Sequence, residues 1–428
     1  MGKYIRYSDE FLARVREDAD LVGIIGRDIT LKKAGKAFKA CCPFHGEKTP
    51  SFEVSPERNT YKCYGCPAQG DAIKWMMEFH KLPFQEAVAA VASDSGIAVP
   101  ESQDDDSAES QMRRSRLASL TKALQDAARL YAGGIERSPT GRQYLTTTRS
   151  LSEETITSYQ LGTVATGVVE LLAKRHDPET LIECGLAIRA EDGRLFDRFR
   201  NRIMIPIYNE SGALIGFAGR SMIEKPDRTP KYLNSPETEL FHKGNELYAL
   251  NVAKATIRSA RHAIVVEGYF DVLTAHQAGD CRVVAPMGTA LTNTQARRLF
   301  SHADTVTFAF DGDKPGRSAA LRASAVVLEE IRDGKTAQFL FLPEGSDPDQ
   351  LIASHGLDAW NDALATAYPL SRFLADYVKH GLDMDVPESQ VRAAEKARKI
   401  LARVREATLY KQALTAQFER TIGMALPA

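Results

Sequence analysis

AIVVEGYFD at residues 263–271 and TVTFAFDGD at residues 305–313 each join a short apolar run to a glycine and two acids. Two more apolar runs, RVVAP at 282–286 and AQFLFL at 337–342, belong to the same region, and segments of helical length separate the runs. Short apolar runs that alternate with helices are typical of a parallel sheet covered on both faces. The sequence therefore predicts a parallel α/β subdomain over residues 261–351.

Acidic residues follow the predicted strands of this region. In an open parallel sheet, ligands bind beyond the carboxyl ends of the strands, so these acids are expected to converge on one pocket. Carboxylate oxygens favour Mg²⁺ or Mn²⁺ over zinc. The alternative is that each acid caps the helix after its strand, which is common for one aspartate but accounts poorly for the whole set. The acids are Glu267, Asp271, Asp311, Asp313, Asp347 and Asp349.

A second set of metal ligands lies near the amino terminus, in the pairs Cys42-Pro-Phe-His45 and Cys63-Tyr-Gly-Cys66. Three thiolates and one imidazole close a tetrahedral site, which predicts one structural zinc ion. Ordinary buried thiols with an incidental histidine are the alternative. Cys41 could replace Cys42, but the two-residue spacing to His45 favours Cys42. We expect this zinc ion to fold the module and to take no part in catalysis.

Basic and aromatic residues surround the two ligand pairs. Cations beside exposed rings suit single-stranded nucleic acid, in which phosphates pair with cations and bases stack on rings. A solvated face over a small core is the alternative, and composition alone does not separate the two. These residues are Lys32, Lys33, Lys36, Lys39, Lys48, Arg58, Lys62, Phe44, Phe52, Tyr61 and Tyr64.

Two basic tracts lie between the ligand pairs and the predicted parallel sheet. FDRFRNRIMIPI at 196–207 contains Arg198, Arg200 and Arg202, which a strand would place on one face. PKYLNSPETELFHKG at 230–244 adds further cations, and an arginine ends GFAGR. Cations near a divalent-metal site are what a triphosphate or a template backbone requires. Taken singly, each of them is more commonly a surface charge.

Composition excludes several classes of protein. With 43% hydrophobic and 26% charged residues, the chain has the composition of a folded globular protein. A net charge of −1 argues against a uniformly basic nucleic-acid coat but permits local basic tracts. No apolar stretch approaches the ~20 residues of a membrane span, so none is predicted. Six cysteines are too few for a disulfide scaffold in a chain of this size, which favours the reducing cytoplasm.

A chain of 428 residues predicts about three domains. PESQDDDSAESQMRR, from Pro100 to Arg114, begins acidic, ends basic and has no periodic apolar face, which indicates a linker. We predict a zinc-binding module over 1–100, a linker over 101–114, an α+β part over 115–260, the parallel sheet over 261–351 and a helical subdomain over 352–428.

Taken together, these motifs resemble bacterial DNA primases of the DnaG type over nearly the whole chain. The matching motifs are CPFHGEKTPSF, CYGCPAQGD, FRNRIMIPI, GFAGR, PKYLNSPET, FHKGNELYAL, VEGYFDVL, MGTALT, FDGDKPGR and SDPD. The resemblance implies a multidomain α/β protein with a zinc ribbon, an α+β subdomain, a Toprim-like sheet and a helical subdomain. Pro67 and Ala218 depart from the glycine usual in the family, and Met287 departs from its common leucine.

The resemblance also implies roles for the site residues. Glu267, Asp311 and Asp313 are similar to the family's ligands for about two Mg²⁺ or Mn²⁺ ions, with Asp271, Asp347 and Asp349 as the outer part of the cluster. The implied reaction is synthesis of short RNA primers on single-stranded DNA, in which a metal-activated 3′-hydroxyl attacks the α-phosphate of a ribonucleoside triphosphate. The implied nucleotide or template contacts are Arg200, Arg202, Arg220, Lys231, Asn234 and Lys243.

Because the chain stops shortly after the helices that should close the polymerase domain, we expect the helicase-binding domain to be absent and docking to the replicative helicase to be in doubt. A monomer in the bacterial cytoplasm, associated with the replisome, is expected. Three other classes fit less well. A type IA topoisomerase needs a large gated clamp, a Toprim-class nuclease has no reason for the zinc module, and a non-enzymatic single-strand binder leaves the acids unexplained.

Overall fold

A computed structural model of the chain describes residues 7, 9–80, 82–97, 108–164, 166–222, 230–288, 290–311, 314–343 and 345–426. Asp313, one of the predicted metal ligands, lies outside these ranges. Among the described helices, none combines the length and the apolar character needed to cross a membrane. The chain divides into two compact units, Met1–Arg113 and Arg114–Ala428.

The first unit contains a five-stranded antiparallel sheet whose strands follow one another in chain order. Its strands are β1 (Lys32–Ala34), β2 (Ala37–Ala40), β3 (Phe52–Ser55), β4 (Thr60–Cys63) and β5 (Gln69–Gly70). Its helices are α1 (Asp9–Asp18), α2 (Leu21–Asp28), α3 (Ala72–Glu78) and α4 (Phe84–Asp94). The sheet and helices enclose one core.

The hairpin of β3 and β4 builds that core by alternation. Phe52 and Val54 on β3, like Tyr61 and Cys63 on β4, point to the buried face because side chains alternate along a strand. Trp75 of α3 packs on this face, with its ring 5.7 Å from that of Phe52 and 5.5 Å from that of Tyr61. Phe52 is the register partner of Cys63, so the same alternation directs a predicted zinc ligand inward.

The amino-terminal part of the second unit is an α+β layer. A four-stranded antiparallel sheet of order β11-β10-β9-β6 and a separate pair, β7 with β8, form its strands. The strands are β6 (Gly162–Val164), β7 (Ala187–Arg189), β8 (Leu195–Asp197), β9 (Arg202–Tyr208), β10 (Leu214–Ser221) and β11 (Tyr232–Asn234). The helices are α5 (Ala108–Ala132), α6 (Pro139–Gln143), α7 (Glu153–Ser158), α8 (Val168–Leu172) and α9 (Pro178–Glu183).

Helix α5 begins inside the span that the sequence predicts to be a linker. Of the residues 101–114, those from Ala108 onward are already helical. AESQMRR consists largely of good helix formers, and α5, which has 25 residues in all, continues to the buried side chains of Leu120 and Leu124. The side chains of residues 111–114 are exposed, so this part of the helix has no apolar face and its sequence resembles a linker.

The second half of this unit contains the predicted parallel sheet, in the order β13-β12-β14-β15-β16. The strands are β12 (His262–Val265), β13 (Val283–Val284), β14 (Thr305–Phe310), β15 (Thr336–Phe341) and β16 (Tyr368–Pro369). The helices are α10 (Leu250–Ala260), α11 (Tyr269–Ala278), α12 (Asn293–His302), α13 (Lys314–Glu330), α14 (Pro348–Ala365), α15 (Leu370–Lys379), α16 (Pro387–Leu401) and α17 (Thr408–Ile422). The first four strands are parallel, as predicted, and the short edge strand β16 is antiparallel.

Both faces of the parallel sheet are buried, which explains its continuous apolar runs. Ile264 and Leu340 belong to a cluster that includes Trp360 of α14, whereas Val265 and Phe339 belong to the opposite cluster. The predicted α/β architecture is confirmed. The predicted acids follow the carboxyl ends of the strands of this sheet.

Candidate metal centres and nucleotide-binding residues

Cys42, His45, Cys63 and Cys66 converge in the first unit, with one ligand atom of each within 4.8 Å of every other. The Sγ atoms of Cys42 and Cys66 are 3.7 Å apart, and Sγ of Cys63 is 3.9 Å from Nδ1 of His45. Two sulfurs that each lie 2.3 Å from a tetrahedral zinc ion are about 3.8 Å apart. The four side chains therefore fit one zinc ion. Cys41 is exposed and stands outside the cluster.

Polar neighbours favour the charged form of one of these thiols. The hydroxyl of Ser51 lies 3.1 Å from Sγ of Cys63, and the backbone N–H of Gly65 donates to the same sulfur at 3.2 Å. Although burial opposes ionisation, these hydrogen bonds lower the pKa of Cys63 to about 7. Burial raises the pKa of Cys42 to about 12. A cation between the sulfurs favours the thiolate at every position, so metal binding releases protons here.

The aromatic residues around the cluster divide into two groups. Phe52 and Tyr61 are in the core, and Phe44 packs 5.5 Å from Trp75. Tyr64 is 68% exposed, and Nζ of Lys62 lies 5.4 Å from its ring centroid. Most of these rings therefore belong to the small core, which was the alternative interpretation of the aromatic residues. Tyr64 is exposed, so a nucleobase can reach its ring.

At the acidic edge of the second unit, Glu267 and Asp311 leave neighbouring parallel strands. Val265 pairs with Phe308 in register, so the two acids emerge beyond the same edge of the sheet. Glu267 is exposed and Asp311 is half-buried. Glu267 borders a cavity of 250 Å³ whose walls include Phe308 and Leu291. We call Glu267 and Asp311 the outer pair, and a cation can reach this pair.

Asp271 lies deeper, in the first turn of α11. Its two carboxylate oxygens accept hydrogen bonds from the backbone N–H groups of Gly268, at 2.8 Å, and Asp349, at 3.3 Å. Burial raises the pKa of Asp271 to about 7, and the nearby charges of Asp347 and Asp349 act in the same direction. Asp347 caps α14 by accepting from the N–H of Gln350 at 2.7 Å. Asp347 is therefore a helix cap in this structure, which is the alternative role that the sequence allows for these acids.

Asp349 is buried, and protein groups contact both of its oxygens. Nη1 of Arg149 donates to one oxygen at 2.6 Å, and the hydroxyl of Thr274 donates to the other at 2.7 Å. We call Asp271, Asp349, Arg149 and Thr274 the inner layer. Its acids are held by donors of the chain itself.

Arg149 is a site residue that the sequence does not reveal. Its guanidinium lies 4.5 Å from the ring centroid of Phe270, and its Nε donates to the hydroxyl of Tyr144 at 3.2 Å. Its acidic partner, Asp349, is 200 residues further along the chain. A single arginine in TTTRS carries no spacing signal, so only the tertiary structure identifies it.

The three arginines of FDRFRNRIMIPI do not share one face, and that prediction is wrong. Strand β9 begins at Arg202, and Asn201 before it has a left-handed backbone with φ of +53°, which breaks the two-residue alternation. Arg202 is buried, and its Nη1 donates to the carbonyls of Gly219 and Pro230. Arg198 is half-buried and Arg200 is exposed. Of the three, Arg200 is the one that solvent reaches fully.

The remaining predicted contacts surround strands β10 and β11. The guanidinium of Arg220 lies 5.0 Å from the ring centroid of Tyr232, and Lys231 beside it is exposed. Asn234 accepts from the hydroxyl of Tyr269 at 3.0 Å and donates to the carbonyl of Met287 at 2.9 Å. Because Tyr269 begins α11, this contact ties the basic strands to the helix that carries Asp271. Lys243 is half-buried in a single 3₁₀ turn.

Four family models match the chain in this order. They are described as a CHC2 zinc finger over residues 7–107, the N-terminal domain of the DNA primase catalytic core over 131–254, a Toprim domain over 261–338 and the DnaB-helicase binding domain of primase over 371–425. The match to the primase catalytic core, which lies between the zinc module and the Toprim sheet, defines the class as a nucleotidyltransferase.

The chain is 37% identical to the DNA primase of Escherichia coli K12 over 409 residues, which cover 94% of this chain and 69% of that protein. It is 39% identical to a DNA primase of Neisseria meningitidis serogroup B, with 93% and 67% covered. Among solved structures, the zinc-binding and RNA polymerase domains of the Aquifex aeolicus primase match with a TM-score of 0.63, 29% identity and 98% of each chain covered. The DnaG catalytic domain bound to single-stranded DNA matches with a TM-score of 0.66, 33% identity and coverage of 73% and 98%.

The chain belongs to the bacterial DNA primase family, whose members are DNA-directed RNA polymerases. Topoisomerase, nuclease and non-enzymatic binding are not favoured.

The expected absence of a helicase-binding region is wrong. The matching model covers α15, α16 and α17, which sequence assigned only to the closing helices of the polymerase domain. Short amphipathic helices have the same apolar periodicity whether they close a domain or bind a partner, so periodicity could not distinguish the two.

Proposed function

We propose that this primase synthesises RNA on single-stranded DNA from ribonucleoside triphosphates at its acidic edge, with about two Mg²⁺ or Mn²⁺ ions. The observation that carries the proposal is the emergence of Glu267 and Asp311 beyond one edge of the parallel sheet, with Arg149 and Arg220 in the same unit. Oxygen donors at this edge suit a hard divalent cation.

Glu267, Asp311 and Asp313 would hold the ions. Bound there, the ions would activate the attacking 3′-hydroxyl and neutralise the charge of the leaving pyrophosphate. Asp271 and Asp349 would help to position these three acids, because the oxygens of Asp271 and Asp349 already accept hydrogen bonds from the chain. Through these contacts they would fix the loops after β12 and β15, which contain Glu267 and Asp347.

Cations of the second unit would bind phosphates. Arg200, Lys231 and Lys243 are reachable by solvent, and the guanidinium of Arg220 lies 5.0 Å from the ring centroid of Tyr232, so these four could contact triphosphate or template. Arg202 would act indirectly, since its guanidinium joins β10 to the segment before β11. Asn234 would set the position of Tyr269. Starting a chain requires two nucleotides to be held together, so these contacts should matter most at initiation.

The zinc module would bind the template strand. Arg58, Lys62, Tyr64 and Gln69 line one groove on the sheet of the first unit. A cation beside an exposed ring suits a phosphate next to a stacked base. We further propose that α15 to α17 contact a replicative helicase in the cytoplasm, following the description of the family model that matches them.

Incubating the chain with single-stranded template, ribonucleoside triphosphates and Mg²⁺ tests the activity. Short RNA that depends on template and metal is the expected product. Shortened template, or a changed linking number when closed circular duplex DNA replaces the template, would contradict the proposal in favour of a nuclease or a topoisomerase.

A truncated chain that begins at Ala108 tests the role of the zinc module. It keeps α5 whole and should still extend an annealed RNA primer, yet lose most initiation at specific sites. Adding the separate module should restore little, because the effective concentration that a covalent connection provides is gone. Initiation at the same sites and rate as the intact chain would contradict a template-reading role.

A further inference from the structure

Glu47 lies beside the zinc ligands but is not one of them. One of its carboxylate oxygens accepts the backbone N–H of Cys42 at 2.6 Å and that of Ser51 at 3.1 Å. Its other oxygen lies 3.3 Å from Nε2 of His45, and its side chain is only 11% exposed. The carboxylate therefore touches both halves of the site, since Ser51 in turn contacts Cys63.

The two nitrogens of His45 face different partners. Nδ1 points towards Sγ of Cys63, where the ion belongs, and Nε2 points towards Glu47. A neutral imidazole binds a metal through the nitrogen that carries no proton, so Nδ1 can be a ligand only when the proton is on Nε2. The ring lies close to the backbone of Gly65, because a Cβ atom added there would be 2.8 Å from Nε2.

We propose that Glu47 is the positioning residue of the zinc site and holds the proton of His45 on Nε2, so that Nδ1 faces the ion. The proposal rests on zinc binding by the four ligands. A carboxylate behind a metal-bound imidazole also makes that imidazole a stronger donor. This role is not part of the polymerase reaction. It determines the affinity of the module for zinc.

Glutamine cannot replace Glu47 in this role, although it has the same shape. The carboxylate accepts hydrogen bonds on both sides, from two backbone N–H groups on one and from His45 on the other. An amide has one acceptor and one donor. Whichever way it turns, its NH₂ group meets either the two backbone donors or the protonated Nε2, and the second case moves the proton of His45 to Nδ1.

The test is zinc affinity of the full chain, measured by competition with a chromogenic chelator. Glu47→Gln should weaken zinc binding about 10- to 100-fold. The matched control is Glu57→Gln, the same substitution at an exposed turn residue of the same module, which should stay within about twofold of the unsubstituted chain. Unchanged affinity of Glu47→Gln would overturn the proposal.

A second background separates the histidine from the backbone contacts. His45→Cys turns the site into four thiolates, which need no tautomer. In that background Glu47→Gln should cause no further loss, so the two substitutions should show strong coupling in a double-mutant cycle. If the loss persists in the four-cysteine site, Glu47 acts through Cys42 and Ser51 alone and the proposal is wrong. If the unsubstituted chain binds no zinc, the zinc site itself fails, and this inference fails with it.

Discussion

The cysteine-histidine cluster and the acidic edge both gather groups that repel one another when charged, but they relieve that repulsion differently. In the cluster, four donors lie within 4.8 Å of each other and none of them is a positively charged side chain. At the acidic edge, the inner layer contains Arg149, whose Nη1 lies 2.6 Å from Asp349. The edge thus carries part of its own countercharge, and the cluster depends on an added cation.

This difference predicts how each region depends on metal. A structural zinc site supplies folding free energy, so the first unit should lose its fold with its ion. The inner layer should keep the second unit folded without Mg²⁺, since Asp271 and Asp349 already have donors. The outer pair, Glu267 and Asp311, should need a cation for activity.

The largest expected effect is that of Cys63→Ser. Loss of one thiolate should release the zinc and remove about 10 kcal/mol of folding free energy from the first unit alone. Hydrogen exchange should become fast over residues 9–97 and stay slow in the parallel sheet. Zinc content by atomic absorption checks the cause. Exchange that also accelerates in β14 would contradict the independence of the two units.

Asp311→Asn should leave the fold intact and remove activity. The amide keeps the shape but not the charge, so primer synthesis should fall at least about 10³-fold, equivalent to about 4 kcal/mol of activation free energy. The temperature of thermal unfolding without metal should change little, because the amide keeps the shape of the carboxylate. Activity near that of the unsubstituted chain in Mg²⁺ would place the ions elsewhere.

The inner layer should make stability depend on pH. Burial raises the pKa of Asp271 to about 7, above its ordinary value of about 3.9. Between these values the folded chain holds a proton that the unfolded chain has lost, so the free energy of unfolding should fall as pH rises from about 4 through 7, by up to about 4 kcal/mol.

Urea unfolding without Mg²⁺ measures this dependence. The chain has two tryptophans, so Trp360 reports on the second unit alone in a Trp75→Phe background. Asp271→Asn is the control and should flatten the slope over this pH range. An equal slope in both proteins would show that other groups cause it.

The parallel sheet and the zinc ligands were predictable because their signals are local. Apolar runs such as TVTFAF indicate strands buried on both faces, and the two-residue spacing of Cys63 and Cys66 is sufficient for a zinc knuckle. The burial of each arginine in FDRFRNRIMIPI was not predictable. Asn201 is a residue type that tolerates a left-handed backbone, but the sequence does not say that it adopts one here, and that backbone changes where three arginines point.

The contacts of the inner layer could not be predicted from the sequence, for a different reason. The contact of Arg149 with Asp349 spans 200 residues, and no spacing or composition connects two such positions. Glu47 stands in a quoted motif, CPFHGEKTPSF, but its function depends on which atoms it faces. Sequence indicates which residues can bind a metal, whereas the residues that orient those ligands emerge only from the folded chain.

The smallest expected effect is that of Thr274→Val, which tests whether the inner layer is held by protein donors. Valine has nearly the same shape as threonine but no hydroxyl, so Asp349 would keep Arg149 and lose its other donor. A buried carboxylate that loses one hydrogen bond should cost about 1 to 3 kcal/mol in the free energy of unfolding. Thr274→Ser keeps the hydroxyl and should recover most of this loss. If Thr274→Val is as stable as the unsubstituted chain without metal, the hydroxyl is not a support of Asp349, and the contrast between a metal-dependent cluster and a self-supported acidic edge is weaker than the hydrogen bonds indicate.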